Sequence, residues 1–111
     1  MSMTEDDLHI ALVKYIKIKY PNLIFFHIPN GGKRNIVEAI KFEKMGVMSG
    51  VADLFFLKQR FFLELKSDKG RQSKKQKEFE AKARECGYYY EVSHGLDKSI
   101  EMVDNIVKIT K

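Results

Sequence analysis

The chain has 111 residues, 44% of them hydrophobic and 32% charged, which excludes a disordered or fibrous protein and suits one globular domain over residues 1–111. A net charge of +5 and a pI near 9.3 favour an anionic partner, nucleic acid foremost. The single cysteine, Cys86, rules out an internal disulfide or a cysteine zinc site, the start MSMTEDD has no apolar signal region, and no apolar run reaches membrane-spanning length, so a cytoplasmic protein without a membrane partner is expected.

Residues 5–19 place Leu8, Leu12, Tyr15 and Ile16 on one stripe, an amphipathic helix with Thr4 as N-cap and acids in its first turn. Pro21 stops it. Leu23 to Ile28 reads as a buried strand, broken by Pro29-Asn30-Gly31-Gly32. Asn35 with Glu38 resembles a capping box and opens a helix over about 36–45, which Gly46 ends. Two apolar runs, 52–57 and 61–66, form a hairpin. A charged loop leads to a second capping box, Ser73 with Gln76, and to a helix ending near Cys86. Tyr88 to Val92 is a strand, and 97–108 a last amphipathic helix. The predicted order is α-β-α-β-β-α-β-α. Several strands are apolar on both sides, so helices should cover both faces of the sheet.

The hairpin carries charges at its open end. With a two-residue turn at Gln59-Arg60, Phe55 falls opposite Glu64 and Asp53 opposite Lys66. Opposed residues share a face and side chains alternate, so Asp53, Glu64 and Lys66 point to one side. A four-residue turn is expected to keep the same register; a three-residue turn breaks it. Two adjacent carboxylates attract a hard divalent cation such as Mg²⁺, and the Leu65 carbonyl offers a further oxygen. A neighbouring ammonium can hold a water or offset charge developing on a phosphate. The constellation suits phosphodiester hydrolysis. The plainer reading of the same residues is an ion pair at a strand end.

The pattern Asp53…Glu64-Leu65-Lys66 resembles the PD-(D/E)XK nuclease superfamily. Together with His27-Ile28-Pro29-Asn30-Gly31-Gly32-Lys33-Arg34, Gly46…Gly50-Val51-Ala52-Asp53-Leu54 and Ser73…Gln76, it is similar to the virus-type replication-repair nuclease (VRR-NUC) domain over nearly the whole chain. Ala52 stands where the superfamily pattern has proline, a backbone preference rather than a ligand. The resemblance implies an α/β, restriction-endonuclease-like core with a central mixed sheet of about four strands flanked by helices. It implies an endonuclease dependent on Mg²⁺ or Mn²⁺ that leaves a 5′-phosphate. Asp53 and Glu64 would hold metal with Leu65 and Glu5, and Lys66, supported by Gln76, would position the attacking water. Glu5 and Gln76 also have local readings, as a favourable acid at a helix N-terminus and as the N3 residue of a capping box.

Residues 66–77 hold six basic residues (Lys66, Lys69, Arg71, Lys74, Lys75 and Lys77) and one acid, Asp68, a difference equal to the whole net charge of +5. Lys69, Arg71, Lys74 and Lys75, with Lys33 and Arg34 of the glycine loop, are the candidate DNA contacts, able to position phosphates without reading sequence. The glycine loop lacks Walker A spacing. His9, His27 and His94 show no metal-ligand spacing and are expected to be structural or exposed. Ser93, His94 and Asp97 lack a nucleophile elbow, and Tyr88-Tyr89-Tyr90 is expected to pack rather than stack bases.

A chain this short buries only roughly two-thirds of its unfolded surface, yet it carries eight Phe and five Tyr. A homodimer would cover the excess and supply two sites for symmetric cuts in branched DNA such as a Holliday junction. Stand-alone VRR-NUC domains look like such resolvases and like phage-encoded DNA-repair products. The alternatives are a monomeric flap nuclease and a non-catalytic nucleic-acid-binding module that keeps the fold.

Overall fold

The computed structural model describes residues 3–29 and 35–109. Eight elements follow in the predicted order: α1 (Glu5–Lys19), β1 (Phe25–His27), α2 (Ile36–Lys44), β2 (Leu54–Phe56), β3 (Phe61–Lys66), α3 (Lys74–Glu85), β4 (Tyr89–His94) and α4 (Leu96–Ile106). The strands form one mixed sheet in the order β1-β2-β3-β4. The first two pairings are antiparallel. The pairing of β3 with β4 is parallel, so a crossover is required and α3 supplies it.

Strand alternation divides the core. Leu54 and Phe56 of β2 and Phe61, Leu63 and Leu65 of β3 lie on one face. There they pack with Leu8, Leu12 and Ile16 of α1 and Val103 and Ile106 of α4. The spacing of Leu8, Leu12 and Ile16 is the one-stripe pattern of a helix laid on a sheet. The opposite face is smaller. Tyr90 and Ala83 form its centre with Ala52, and Phe62, Phe79, Tyr88 and Val92 pack around them. Tyr15 and Tyr20 hydroxyls both donate to Asp104 Oδ1, at 2.8 and 2.6 Å, which ties the end of α1 to α4.

Two expectations change. The hairpin turn contains four residues, Leu57 to Arg60, because Phe56 pairs with Phe61. Arg60 takes a left-handed φ of 54° and its guanidinium lies over the Tyr88 ring at 4.5 Å. The longer turn slides the strands by two residues, so facing is kept but Asp53 comes opposite Glu64 instead of Lys66. Secondly, β1 is an exposed edge rather than a buried strand: Phe25 is half-buried, and Phe26 and His27 face outward. An edge strand has a neighbour on one side only, and Phe26 is 47% exposed. Helix α2 likewise buries no residue.

Gly50 controls the approach to the hairpin. Its φ is +88°, and a Cβ there would sit 2.5 Å from the Lys75 carbonyl oxygen in the first turn of α3. Only glycine lets the two backbones approach this closely without strain. Gly50→Ala is therefore expected to cost about 2 kcal/mol or more, read as a lowered urea midpoint with an unchanged m-value. A midpoint equal to wild type would contradict this contact.

Candidate active site

The site forms where the C-terminal end of β3 meets the N-termini of α1 and α3. Glu64 and Lys66 alternate with Leu63 and Leu65, so when the leucines enter the α1–α4 core the charged pair must enter the α3 side. Glu64 is 0% exposed and Lys66 8%. Their side chains pair, Lys66 Nζ to Glu64 Oε2, at 3.4 Å.

A carboxylate this deep needs partners. Glu64 Oε1 accepts from the Tyr90 hydroxyl and from Gln72 Nε2 at 3.2 Å. Gln72 also donates to Glu80 Oε1 at 2.9 Å. Burial, then the bond to Glu64, pushes the Tyr90 hydroxyl far above the usual tyrosine range, so it stays a proton donor. Glu64 Oε2 is different: it is buried and has no hydrogen-bond partner, only the ammonium of Lys66.

Asp53 precedes β2. Extending the pairing of Leu54 with Leu63 by one residue sets it across from Glu64. It is held at three points. Its Oδ2 accepts from the Leu65 N–H at 2.7 Å. Its carbonyl accepts from the Ile28 N–H at 3.0 Å and from His27 Nδ1 at 2.8 Å. Burial raises its carboxyl above the usual aspartate range. The Leu65 N–H and His9 act against that shift, and the charges of Glu64 and Glu5 add to it.

Glu5 stands in the exposed first turn of α1. A Cβ on Gly70 would meet its Oε2 at 3.2 Å and Lys66 Cβ at 3.3 Å, so glycine lets the β3–α3 loop close over this carboxylate. His94 Nε2 donates to the Gly70 carbonyl at 3.0 Å and fixes that loop. The structure thus gathers Glu5, Asp53, Glu64, Leu65 and Lys66 at one end of the sheet. Leu65 contributes its N–H to Asp53, a contact the expected carbonyl role did not include.

Gln76 makes a local contact. Its Oε1 accepts from the Ser73 N–H at 2.8 Å while the Ser73 hydroxyl accepts from the Gln76 N–H, the reciprocal capping box. The amide that touches the buried carboxylate is Gln72, four residues earlier. Gln72 and Tyr90 were not singled out in sequence for this place. Gln72 lies in a charged loop with no periodicity, and Tyr90 is one of three consecutive tyrosines, of which only strand facing selects the buried one. Lys69, Arg71, Lys74 and Lys75 are exposed beside the site and form no ion pair among the described residues. Lys33 and Arg34 lie outside the described residues.

The structure also gathers residues expected to be unrelated. One ring nitrogen each from His9 and His27 and one oxygen of Asp53 lie within 4.8 Å of one another. The two rings meet edge to face, with centroids 4.4 Å apart. Burial, then the nearby His27, lowers the His9 pKa, and Asp53 and Asp6 partly oppose this. Glu5, Asp53 and Glu64 do not close to the same spacing.

The raised pKa of Asp53 has a stability consequence. Folding disfavours its ionised form, so the penalty is absent below the ordinary aspartate pKa of about 4, grows as pH rises through the folded value, and is constant above it. Asp53→Asn, whose Oδ1 still accepts from the Leu65 N–H, should melt higher than wild type at pH 7 in chelator. The gap should close as pH falls towards 4. Equal melting temperatures at both pH values would show that burial does not strain this carboxylate.

No protein-family model matches the chain, and no curated protein matches it. Among solved structures, one described as a VRR_NUC domain protein is similar over 100% of this chain and 93% of its own, with 25% sequence identity and a TM-score of 0.86. That likeness spans every element that builds the site. The four helices and four-stranded mixed sheet, the motif order and this end-to-end match agree on one point: the chain has the fold of a VRR-NUC domain.

Proposed function

We propose that the protein is a divalent-metal-dependent DNA endonuclease that cleaves branched DNA as a homodimer. The observation that carries the nuclease reading is the buried Glu64 Oε2, which has no hydrogen bond and faces only Lys66, in register with Asp53. A donor set of carboxylate oxygens fits Mg²⁺ or Mn²⁺. Asp53 and Glu64 would hold the ion, with Glu5 and a Leu65 oxygen as further donors. When bound, it supplies Lewis acidity, making water acidic and offsetting phosphate charge.

The chain's own groups do the rest. Tyr90 and Gln72 hold Glu64 Oε1, which orients Oε2. The Leu65 N–H fixes one oxygen of Asp53. Lys66 would hold the attacking water in line with phosphorus and offset negative charge there. Gln76, local to the α3 cap, would support Lys66 through the position of the helix start. The exposed Lys69, Arg71, Lys74 and Lys75 would track the phosphate backbone, together with Lys33 and Arg34 of the glycine loop.

The dimer is supported by the apolar surface around α2. Ile36, Val37 and Ile40 are exposed on a helix that buries nothing, and Phe26 of the edge strand is exposed as well. Covering them with the same patch of a second copy would give the two-fold pair of sites that symmetric incision needs.

A four-way junction incubated with Mn²⁺ is expected to be cut and to be protected by EDTA, with a dimer mass by light scattering of the same preparation. Glu64→Gln should reduce cleavage by about a thousandfold or more, the order lost with one preorganised electrostatic group. Lys66→Ala should also abolish cleavage. It should cost about 3–5 kcal/mol of metal-free stability as well, because it strands a buried carboxylate, and adding Glu64→Gln should restore most of that. Wild-type cleavage by Glu64→Gln would overturn the site, and binding without any cleavage would favour a non-catalytic module. A monomer that trims flaps and leaves junctions intact would remove the resolvase reading.

Lys74→Ala with Lys75→Ala should weaken binding to every DNA sequence alike and flatten the log–log salt slope by about two, roughly one per lost phosphate contact. An unchanged slope would move the DNA path away from α3.

A further inference from the structure

The His9–His27–Asp53 cluster adds two histidines that the nuclease constellation does not use, and has the chemistry of a different ion. Its members come from three elements far apart in sequence: the middle of α1, the end of β1 and the residue before β2. Their ligand atoms nonetheless lie within 4.8 Å of one another. His9 is one turn beyond Glu5 on the same helix face, so it looks along the helix surface towards Asp53.

His27 is prepared for ligation. Its Nδ1 is bonded to the Asp53 carbonyl at 2.8 Å, and a carbonyl only accepts. Nδ1 therefore carries the proton in the neutral ring, and Nε2 keeps its lone pair. A ring N–H donated to a backbone carbonyl is the usual support for a metal-ligating histidine, fixing its tautomer and orientation. Asp53 is steadied in turn by the Leu65 N–H. The partial exposure of His9 and Asp53 and the exposed position of His27 leave an ion a way in.

We propose that His9, His27 and Asp53 form a site for a borderline divalent transition metal, of the Zn²⁺ or Co²⁺ class, beside the oxygen-donor pair Asp53–Glu64. Two imidazoles and one carboxylate suit such ions and leave coordination positions open for water or phosphate. Mg²⁺, which prefers oxygen and retains its waters, gains little from imidazole. The two donor sets share Asp53 alone, so the site stands whether or not the chain cuts DNA.

The test is Co²⁺ titration of the metal-free protein, without DNA, followed by visible absorption and calorimetry. Wild type and Glu64→Gln should show the same saturable band, one ion per chain, that excess Mg²⁺ does not remove. His9→Gln, at a half-exposed position, should bind at least about tenfold more weakly, since losing even an outer-shell partner costs that much. His27→Gln and Asp53→Asn should do the same. Circular dichroism of metal-free His9→Gln should match wild type, which makes its result decisive even if His27→Gln folds poorly. Equal Co²⁺ affinity in wild type and His9→Gln, displacement by Mg²⁺, or loss of the band in Glu64→Gln would overturn the proposal. Junction cleavage with no Co²⁺ band would sink this site and leave the nuclease standing; a Co²⁺ band without cleavage would do the reverse.

Discussion

A carboxylate buried in the middle of a hydrophobic sheet is the constraint around which the rest of this molecule is arranged. Glu64 is fully enclosed, and an enclosed charge costs several kcal/mol even after the protein relaxes around it. The fold meets that cost from three directions. Strand β4 brings the Tyr90 hydroxyl, the β3–α3 loop brings Gln72, and β3 itself brings Lys66 two residues on. Each partner requires an element in its place. The parallel register that sets Phe62 beside Tyr90 puts the hydroxyl in reach, and the cap of α3 fixes the end of the loop that carries Gln72. One carboxylate oxygen remains without a hydrogen bond. A fold selected for stability alone would place an apolar side chain there, so the retained charge points to chemistry.

Asp53 plays the complementary part at the edge of the same face. Its side chain and backbone together join β1, β2 and β3 through the Ile28 and Leu65 N–H groups and the His27 ring. The joint holds a carboxylate that burial makes reluctant to ionise, and a nearby cation relieves that strain. Two donor sets meet on it, one of oxygens towards Glu64 and one with imidazole nitrogens towards His9. A single residue thus links the proposed catalytic centre to the proposed second ion.

The surfaces around this centre differ in kind. The loop and first turn of α3 present cations with no ion pair among the described residues, and Gly50 seats that turn against the approach to Asp53. DNA phosphates held there would lie next to the site without any base being read. Elsewhere the surface is apolar instead, with Phe26, Ile36, Val37 and Ile40 open to solvent. A basic surface suits phosphates and an apolar one suits a partner surface, the two uses proposed above.

Element order, the two-faced sheet and the pairing of Glu64 with Lys66 were determined by the sequence itself. Strand alternation and helix periodicity are local properties, and Leu8-Leu12-Ile16 and Leu63-Glu64-Leu65-Lys66 display them openly. The caps were legible for the same reason: Ser73 and Gln76 close a reciprocal box within one turn, while Asn35 caps the Glu38 N–H and the Glu38 carboxylate accepts from the Asn35 side chain instead of its backbone. What depended on pairing between distant segments was not. The turn at Leu57–Arg60 is set by how Phe56 and Phe61 dock in the core, and hairpin composition alone allowed two residues or four. Edge exposure of β1 follows from sheet order, which no strand announces about itself. Gln72, Tyr90, His9 and His27 acquired their places only when α1, β1 and β4 packed together. Spacing along a chain reports neighbours on one helix or strand, whereas a site assembled from four elements exists only as distances in space.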